Sequence, residues 1–265
     1  MSVYPVYLVA TLHDPQNRLA VLTTQYLPAL LDLYRDVRLL CSRATSPEAV
    51  GLLRGLGATA THDEDEPDGH AYLGRKRRQA LRLGLAAGAG YLHLCDFDRV
   101  LHWMATYPGE LGRIVAEMPA YDLLVLGRTP RAFDTHPSYQ VRTEALANHA
   151  FGLAYGREMD ITTGSRALSR RAAEYLVAHS RETGVGVDAE WPLLLGRLPG
   201  LKIGYRACEG LEFETPDGYE PEVEAAGGLA AWLKGMDAAP HHWAHRLRLA
   251  AEIAGAAARL GGEKA

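Results

Sequence analysis

The stretch Tyr91-Leu92-His93-Leu94-Cys95-Asp96-Phe97-Asp98 is an apolar run that ends in two carboxylates two residues apart. A short apolar run bounded by turn signals reads as a buried strand. The run begins just after Gly88-Ala89-Gly90, which ends a helix expected over 71–87 with Leu73, Ala80, Leu81 and Leu85 on its apolar face. Open α/β sheets bind ligands beyond the carboxyl ends of their strands. Two acids at such an end crowd negative charge unless a cation lies between them. A divalent metal carrying a diphosphate suits the position, because Mg2+ or Mn2+ prefers oxygen ligands and takes one or two protein carboxylates together with phosphate oxygens. Two solvated acids capping a strand would give the same letters, so the neighbouring chain has to decide.

On the N-terminal side, short apolar runs alternate with longer helical patterns, the mark of βα units and a largely parallel sheet. Residues 4–11 read as a first strand ended by His13-Asp14-Pro15. Leu19, Leu22, Tyr26, Leu27, Leu30, Leu31 and Leu33 recur at helical spacing, and Val37-Arg38-Leu39-Leu40-Cys41 returns to strand. Ser46-Pro47-Glu48 is an N-cap with proline at the first helical position, opening a helix through 56 and then a strand over 58–61. The acidic run Asp63-Glu64-Asp65-Glu66-Pro67-Asp68-Gly69 is expected as a loop outside the core.

On the C-terminal side the units are fainter. They comprise a helix near 107–118, a strand over 122–127, a polar loop over 128–138 and a helix near 142–154. An approach over 160–166 leads to a helix over 169–179, another helix starts near Asp188, and 201–205 reads as the last strand. Beyond Pro221 the pattern is helical only. The expected organisation is one α/β domain over 1–220 and a C-terminal helical extension over 221–265 packed on it.

Composition bounds the function classes. The 265 residues carry 48% hydrophobic and 23% charged side chains, which a single large core can use and a disordered chain would not have. A net charge of -4 argues against a dedicated nucleic-acid or anionic-membrane binder, since both need a dense cationic surface. The three cysteines, Cys41, Cys95 and Cys208, have neither CxxC nor Cys/His spacing, so no disulfide framework or zinc site is expected and a reducing cytoplasm is the expected home. No apolar run approaches the roughly 20 residues that span a bilayer, and the first residues lack the basic start of a signal peptide.

The segment from Gly74-Arg75-Lys76-Arg77-Arg78 through Gly88-Ala89-Gly90-Tyr91 into Asp96-Phe97-Asp98 resembles the helix-strand-DxD segment of GT-A nucleotide-sugar glycosyltransferases of the large family 2. Asp160-Ile161-Thr162-Thr163-Gly164-Ser165-Arg166 is similar to the D-x-x-x-G-x-R segment of polyprenyl-phosphate sugar transferases in that group. Gly184-Val185-Gly186-Val187-Asp188-Ala189-Glu190-Trp191, followed by Gly200-Leu201-Lys202-Ile203, looks like its acidic helix and late strand.

The resemblance implies a GT-A, Rossmann-like, mostly parallel sheet flanked by helices, and a metal-dependent transfer of sugar from a nucleoside diphosphate donor to a small or lipid-linked acceptor. Asp96 and Asp98 would hold Mg2+ or Mn2+ and the diphosphate, and Thr11, His13 and Asp14 would lie beside the nucleotide. Asp188, or else Glu190, would take the acceptor proton by general-base catalysis. A silent nucleotide-sugar binding protein and a sugar nucleotidyltransferase are the alternatives. Retaining relatives take a late histidine as a further metal ligand, a place open to His241, His242 or His245.

Several residues carry two readings each. Arg75, Arg78 and Arg82 share one helix face, either as phosphate contacts for Arg75 or Arg78 or as a solvated face pairing with the acidic run. Gly164-Ser165-Arg166 is an anion-binding turn before a helix, with Arg166 toward phosphate, or a plain turn. Trp103 and Trp191 are stacking platforms or core. Glu209, Glu212 and Glu214 line an acceptor site or an exposed edge. Trp232, Trp243 and the leucines of the terminal helices are expected as packing or homodimer contacts.

Overall fold

Val6, Leu8, Val9 and Ala10 of the first strand are all fully buried, which a strand achieves only when helices cover both faces of its sheet. The computed structural model describes residues 4–64 and 67–262. The first half runs β1 (Tyr4–Leu12), α1 (Ala20–Leu33), β2 (Tyr34–Cys41), α2 (Pro47–Gly55), β3 (Thr59–His62), a 3-10 turn (His70–Tyr72), α3 (Leu73–Ala86) and β4 (Tyr91–Asp96). The second half runs α4 (Phe97–Thr106), α5 (Pro108–Glu117), β5 (Leu123–Arg128), α6 (Pro130–Asp134), α7 (Ser138–Tyr155), β6 (Ser165–Ser169), α8 (Arg170–His179), α9 (Val187–Gly196) and β7 (Ile203–Cys208). The chain then continues as α10 (Glu220–Ala225), α11 (Leu229–Asp237) and α12 (Pro240–Gly261).

The strands form one sheet in the order β3-β2-β1-β4-β6-β5-β7. All neighbours are parallel except β6, which is antiparallel to β4 and β5. The alternation of side chains along a strand divides the core. Leu8 packs with Leu30, Leu39 and Trp103 on one face, and Val9 packs with Leu81, Leu92 and Trp191 on the other. After β3 the chain crosses back to the far side of β1, so strand order reverses between β1 and β4 and opens a crevice at their carboxyl ends.

Four local readings of the sequence need correction. A helix, α4, starts at Phe97 directly after the strand, because Phe97, Val100, Leu101 and Met104 give it a buried stripe at helical spacing. The polar loop over 128–138 contains α6, capped by the Thr129 hydroxyl, which accepts from the Ala132 N–H at 3.1 Å, with Pro130 at its first position. Residues 165–169 form β6, whose five residues are all buried and show no polar alternation to betray a strand. Asp63 of the acidic run has a fully buried carboxylate 3.4 Å from Lys76 Nζ, while Asp65 and Glu66 lie outside the described residues.

Helix α12 packs on α7 and α9. Its Glu252 Oε1 accepts from the Gly186 N–H at 3.2 Å, and Arg259 meets Glu182 at 2.6 Å, tying the chain ahead of α9 to the C-terminal helix. Among the described residues no helix is long and apolar enough to cross a membrane.

Candidate active site

Asp96 is the last residue of β4 and stands opposite Thr11 of β1 in the parallel register. The Thr11 hydroxyl donates to Asp96 Oδ1 at 2.6 Å, which fixes the carboxylate at the mouth of the crevice. Asp98 follows in the first turn of α4, where its Oδ1 accepts from the Arg99 N–H at 2.8 Å. Burial, the Glu214 carboxylate and Asp96 push the Asp98 carboxyl up to about 7. Glu214 comes from the loop after β7. It receives Arg99 at 2.8 Å on Oε1, and its buried Oε2 has no partner among the described residues.

These acids line a cavity of about 410 Å3 whose other walls include Thr11, Leu12, His13, Ser42, Gly69, His70 and Lys76. His13 Nδ1 is 2.8 Å from the Ser42 hydroxyl. Asp14 faces an adjoining cavity of about 330 Å3 and accepts from the N–H groups of Arg18 at 2.8 Å and Leu19 at 3.0 Å, so it braces the turn into α1. Lys76 reaches Asp68 at 2.8 Å, on the rim of the first cavity.

A second cavity of about 190 Å3 shares His70, Leu73, Asp96 and Glu214 with the first and continues toward α7, α9 and α12. Asp188 lines it. Arg77 meets Asp188 Oδ1 at 2.7 Å and Arg166 meets the same oxygen at 2.6 Å, while Arg77 also stands 3.6 Å from Asp96. Two buried guanidinium groups on one carboxylate are the pairing that a buried charge requires. Asp188 and Asp96 raise the Arg77 pKa against the opposing effect of burial. Gly164, at φ 71, lets this cluster close: a Cβ there would run into the Arg77 guanidinium.

The remaining expected site residues lie elsewhere. Glu190 lines neither cavity; its carboxylate accepts from the Ser180 hydroxyl at 2.5 Å and from the N–H groups of Arg181 and Glu182 at 2.6 and 3.1 Å. Arg78 donates to Ser180 Oγ and Glu182 O at 2.9 and 2.6 Å, and exposed Arg75 lies 6.0 Å from the Tyr72 ring centre. Arg166 is fully buried, with its second contact at Ile161 O, 3.0 Å away. The Gly164 turn leads into β6 rather than a helix, so no helix N-terminus follows it.

Trp103 and Trp191 are core, their indole N–H groups held by Glu110 and Ser180 at 2.9 Å each. Of the late histidines, His245 lies 5.0 Å from the His70 ring at the mouth shared by the two cavities, whereas His242 stacks on Tyr139. Among the described residues no three of His, Cys, Asp and Glu are arranged to hold a metal by themselves.

Arg77 and Lys76 are the site residues that motif reading passed over, while Glu214, read from the sequence as lining an acceptor site or an exposed edge, is buried and lines both cavities. Arg77 had a signal. It lies four residues after Leu73 and four before Leu81, on the apolar stripe of α3, where a charge must be paired.

No family model and no curated protein sequence matches the chain. Solved structures do. Glucosyl-3-phosphoglycerate synthase from Mycobacterium tuberculosis in complex with uridine diphosphate is 16% identical over 87% of this chain and 79% of that one, with a TM-score of 0.51. The same enzyme in complex with Mn2+, uridine-diphosphate-glucose and phosphoglyceric acid aligns over 76% of this chain and 69% of that one at 16% identity and a TM-score of 0.50. A crystal structure of a mycobacterial protein aligns over 77% and 67% at 16% identity, with a TM-score of 0.52. At these identities the likeness is one of fold.

Proposed function

We propose, from the GT-A fold that the chain shares with these structures, that the protein is a metal-dependent glycosyltransferase moving a sugar from a nucleoside diphosphate to an acceptor hydroxyl. The observation that carries this reading is the position of Asp96 and Asp98, at the carboxyl end of β4, where strand order reverses, in the wall of the 410 Å3 cavity. That the same fold hosts Mn2+ and uridine-diphosphate-glucose in the mycobacterial synthase supports the choice of donor class.

The residues fit a hard divalent cation. Asp96, Asp98 and Glu214 crowd three carboxylates, one of them with an unpartnered buried oxygen. The lack of a complete protein ligand set among the described residues agrees with a cation that takes one or two carboxylates and completes its shell with diphosphate oxygens and water. Bound by Asp96 and Asp98, Mg2+ or Mn2+ would neutralise the charge developing on the departing diphosphate.

The chain supplies the rest. Thr11 orients Asp96, and Lys76 and Arg77 bring positive charge to the diphosphate side. His13 and Ser42 flank the part of the cavity left for the nucleoside. In Asp188 both arginines occupy Oδ1, so the second oxygen is the one to receive the acceptor's proton, and the transfer inverts the anomeric centre. Glu190 and Arg78 shape the turn over 180–182, and Arg166 holds Asp188 in place.

Thermal-shift titration with UDP-, GDP- and ADP-sugars, with and without Mn2+, tests the reading. Stabilisation that grows with nucleotide concentration and needs the metal is expected. The absence of a metal-dependent shift with every nucleotide contradicts it.

A further inference from the structure

The second cavity holds a polar group that the proposed chemistry leaves idle. Gln140 of α7 is only 5% exposed and lines this cavity, its side-chain amide makes no hydrogen bond to the described residues, and neither amide atom is sealed off, so both are open to the cavity. An amide that faces a cavity with neither donor nor acceptor engaged is free to bond whatever enters it. An amide offers both a donor and an acceptor, and the group that matches both at one atom is a hydroxyl. Arg246 of α12 lines the cavity beside it, 3.2 Å from Glu144 Oε1, so donors and acceptors alternate along this wall.

Helix α12 also sets the size of the space. Leu249, Ala250 and Ile253 supply an apolar part of its lining. Ala250 and Ile253 are themselves buried, and α12 is fixed by Glu252 at Gly186 and by Arg259 at Glu182. At about 190 Å3 the cavity is smaller than the roughly 300–1,000 Å3 that drug-sized ligands occupy.

We propose that this cavity is the acceptor site, that it takes a small water-soluble polyhydroxyl compound of about monosaccharide size, and that Gln140 and Arg246 select it by their hydrogen bonds to its hydroxyls. This rests on the glycosyltransferase reading and narrows its acceptor to a molecule that about 190 Å3 can hold. Asp188 stands in the same cavity as Gln140, so the hydroxyl that loses its proton and the hydroxyls that are recognised belong to one molecule.

The test uses the full chain with Mn2+ and UDP-glucose and a panel of glycerol, D-glucose, myo-inositol and D-glycerate, alongside a polyprenyl phosphate in detergent. Glucose transfer is followed in wild type, Gln140→Leu and Arg246→Gln, with UDP affinity measured on the same samples as a check of folding and of the donor site. Transfer to at least one small compound is expected, with KM at least tenfold higher in Gln140→Leu, kcat changed less than threefold, and UDP affinity unchanged. Arg246→Gln, an independent variant of the same wall, is expected to move KM in the same direction.

Transfer to the polyprenyl phosphate overturns the proposal. So does transfer to none of the small compounds by a protein that binds UDP, or an unchanged KM in both variants. Failure of wild type to bind UDP with Mn2+ overturns the donor reading itself and this inference with it.

Discussion

Arg77 of α3 and Asp188 of α9, 111 positions apart, meet at 2.7 Å in the interior, and the same arginine stands 3.6 Å from Asp96. One guanidinium thus joins the carboxylate assigned to the donor side to the one assigned to the acceptor side. Removing one partner of a buried pair leaves an uncompensated charge. Arg77→Met is therefore expected to lower unfolding free energy in urea by about 3 kcal/mol or more, although Arg166 still neutralises Asp188. A loss below about 1 kcal/mol would mean that this pair is slack in solution.

Asp188 and Glu190, two residues apart on α9, are expected to respond in opposite ways. Asp188→Asn should lower kcat by about 10²-fold or more while UDP affinity holds, as loss of a general base does. Glu190→Gln should lower stability, because its carboxylate holds the turn over 180–182, and leave kcat within a few-fold. Steady-state kinetics beside thermal melts separate the two, and a reversed pattern would transfer the proton-accepting role to Glu190.

Gly164 adopts φ 71 directly beside Arg77 and Asp96. Gly164→Ala imposes both backbone strain and a clash, so a stability loss of about 1–3 kcal/mol or more is expected. An unchanged melting temperature would show that the turn relaxes freely.

His93 is fully buried in β4, between the Tyr34 hydroxyl at 2.7 Å and the Ser165 hydroxyl at 3.0 Å, and burial pulls it down to about 3. In the unfolded chain it titrates near 6.5. Between those values the unfolded state binds the extra proton, so stability is full above about 6.5 and is lost as pH falls. From pH 7 to pH 5 the contribution of this one histidine drops by about 2 kcal/mol. Urea unfolding at the two pH values should give a difference smaller by that amount in His93→Gln, and an equal difference in both proteins contradicts the assignment.

Much of this arrangement could be read along the chain because it is local. The run into Asp96 and Asp98, the Ser46-Pro47 helix start and the Gly88 helix stop each carry their signal within a few residues. β6 was illegible because an antiparallel strand of five buried residues, two of them serine, has neither apolar length nor alternation. α4 was hidden behind the acids that precede its stripe, since Arg99 and His102 break the apolar pattern and are buried by pairing with Glu214 and with Glu212 and Asp217. The company of Asp188 was out of reach for the same reason: Arg77 and Arg166 become its partners only through the packing of α3 and β6 against α9.

Everything proposed for this site depends on Asp96 and Asp98 binding a nucleoside diphosphate through a divalent cation. Calorimetric titration of UDP into the protein, with and without Mn2+, for wild type and Asp98→Asn tests it most directly. Binding by wild type is expected to require Mn2+ and to fall at least tenfold in Asp98→Asn, with the melting temperature of the variant unchanged or raised, because a crowded carboxylate has been neutralised. Equal UDP affinity in the two proteins, or binding by wild type that ignores Mn2+, would contradict it.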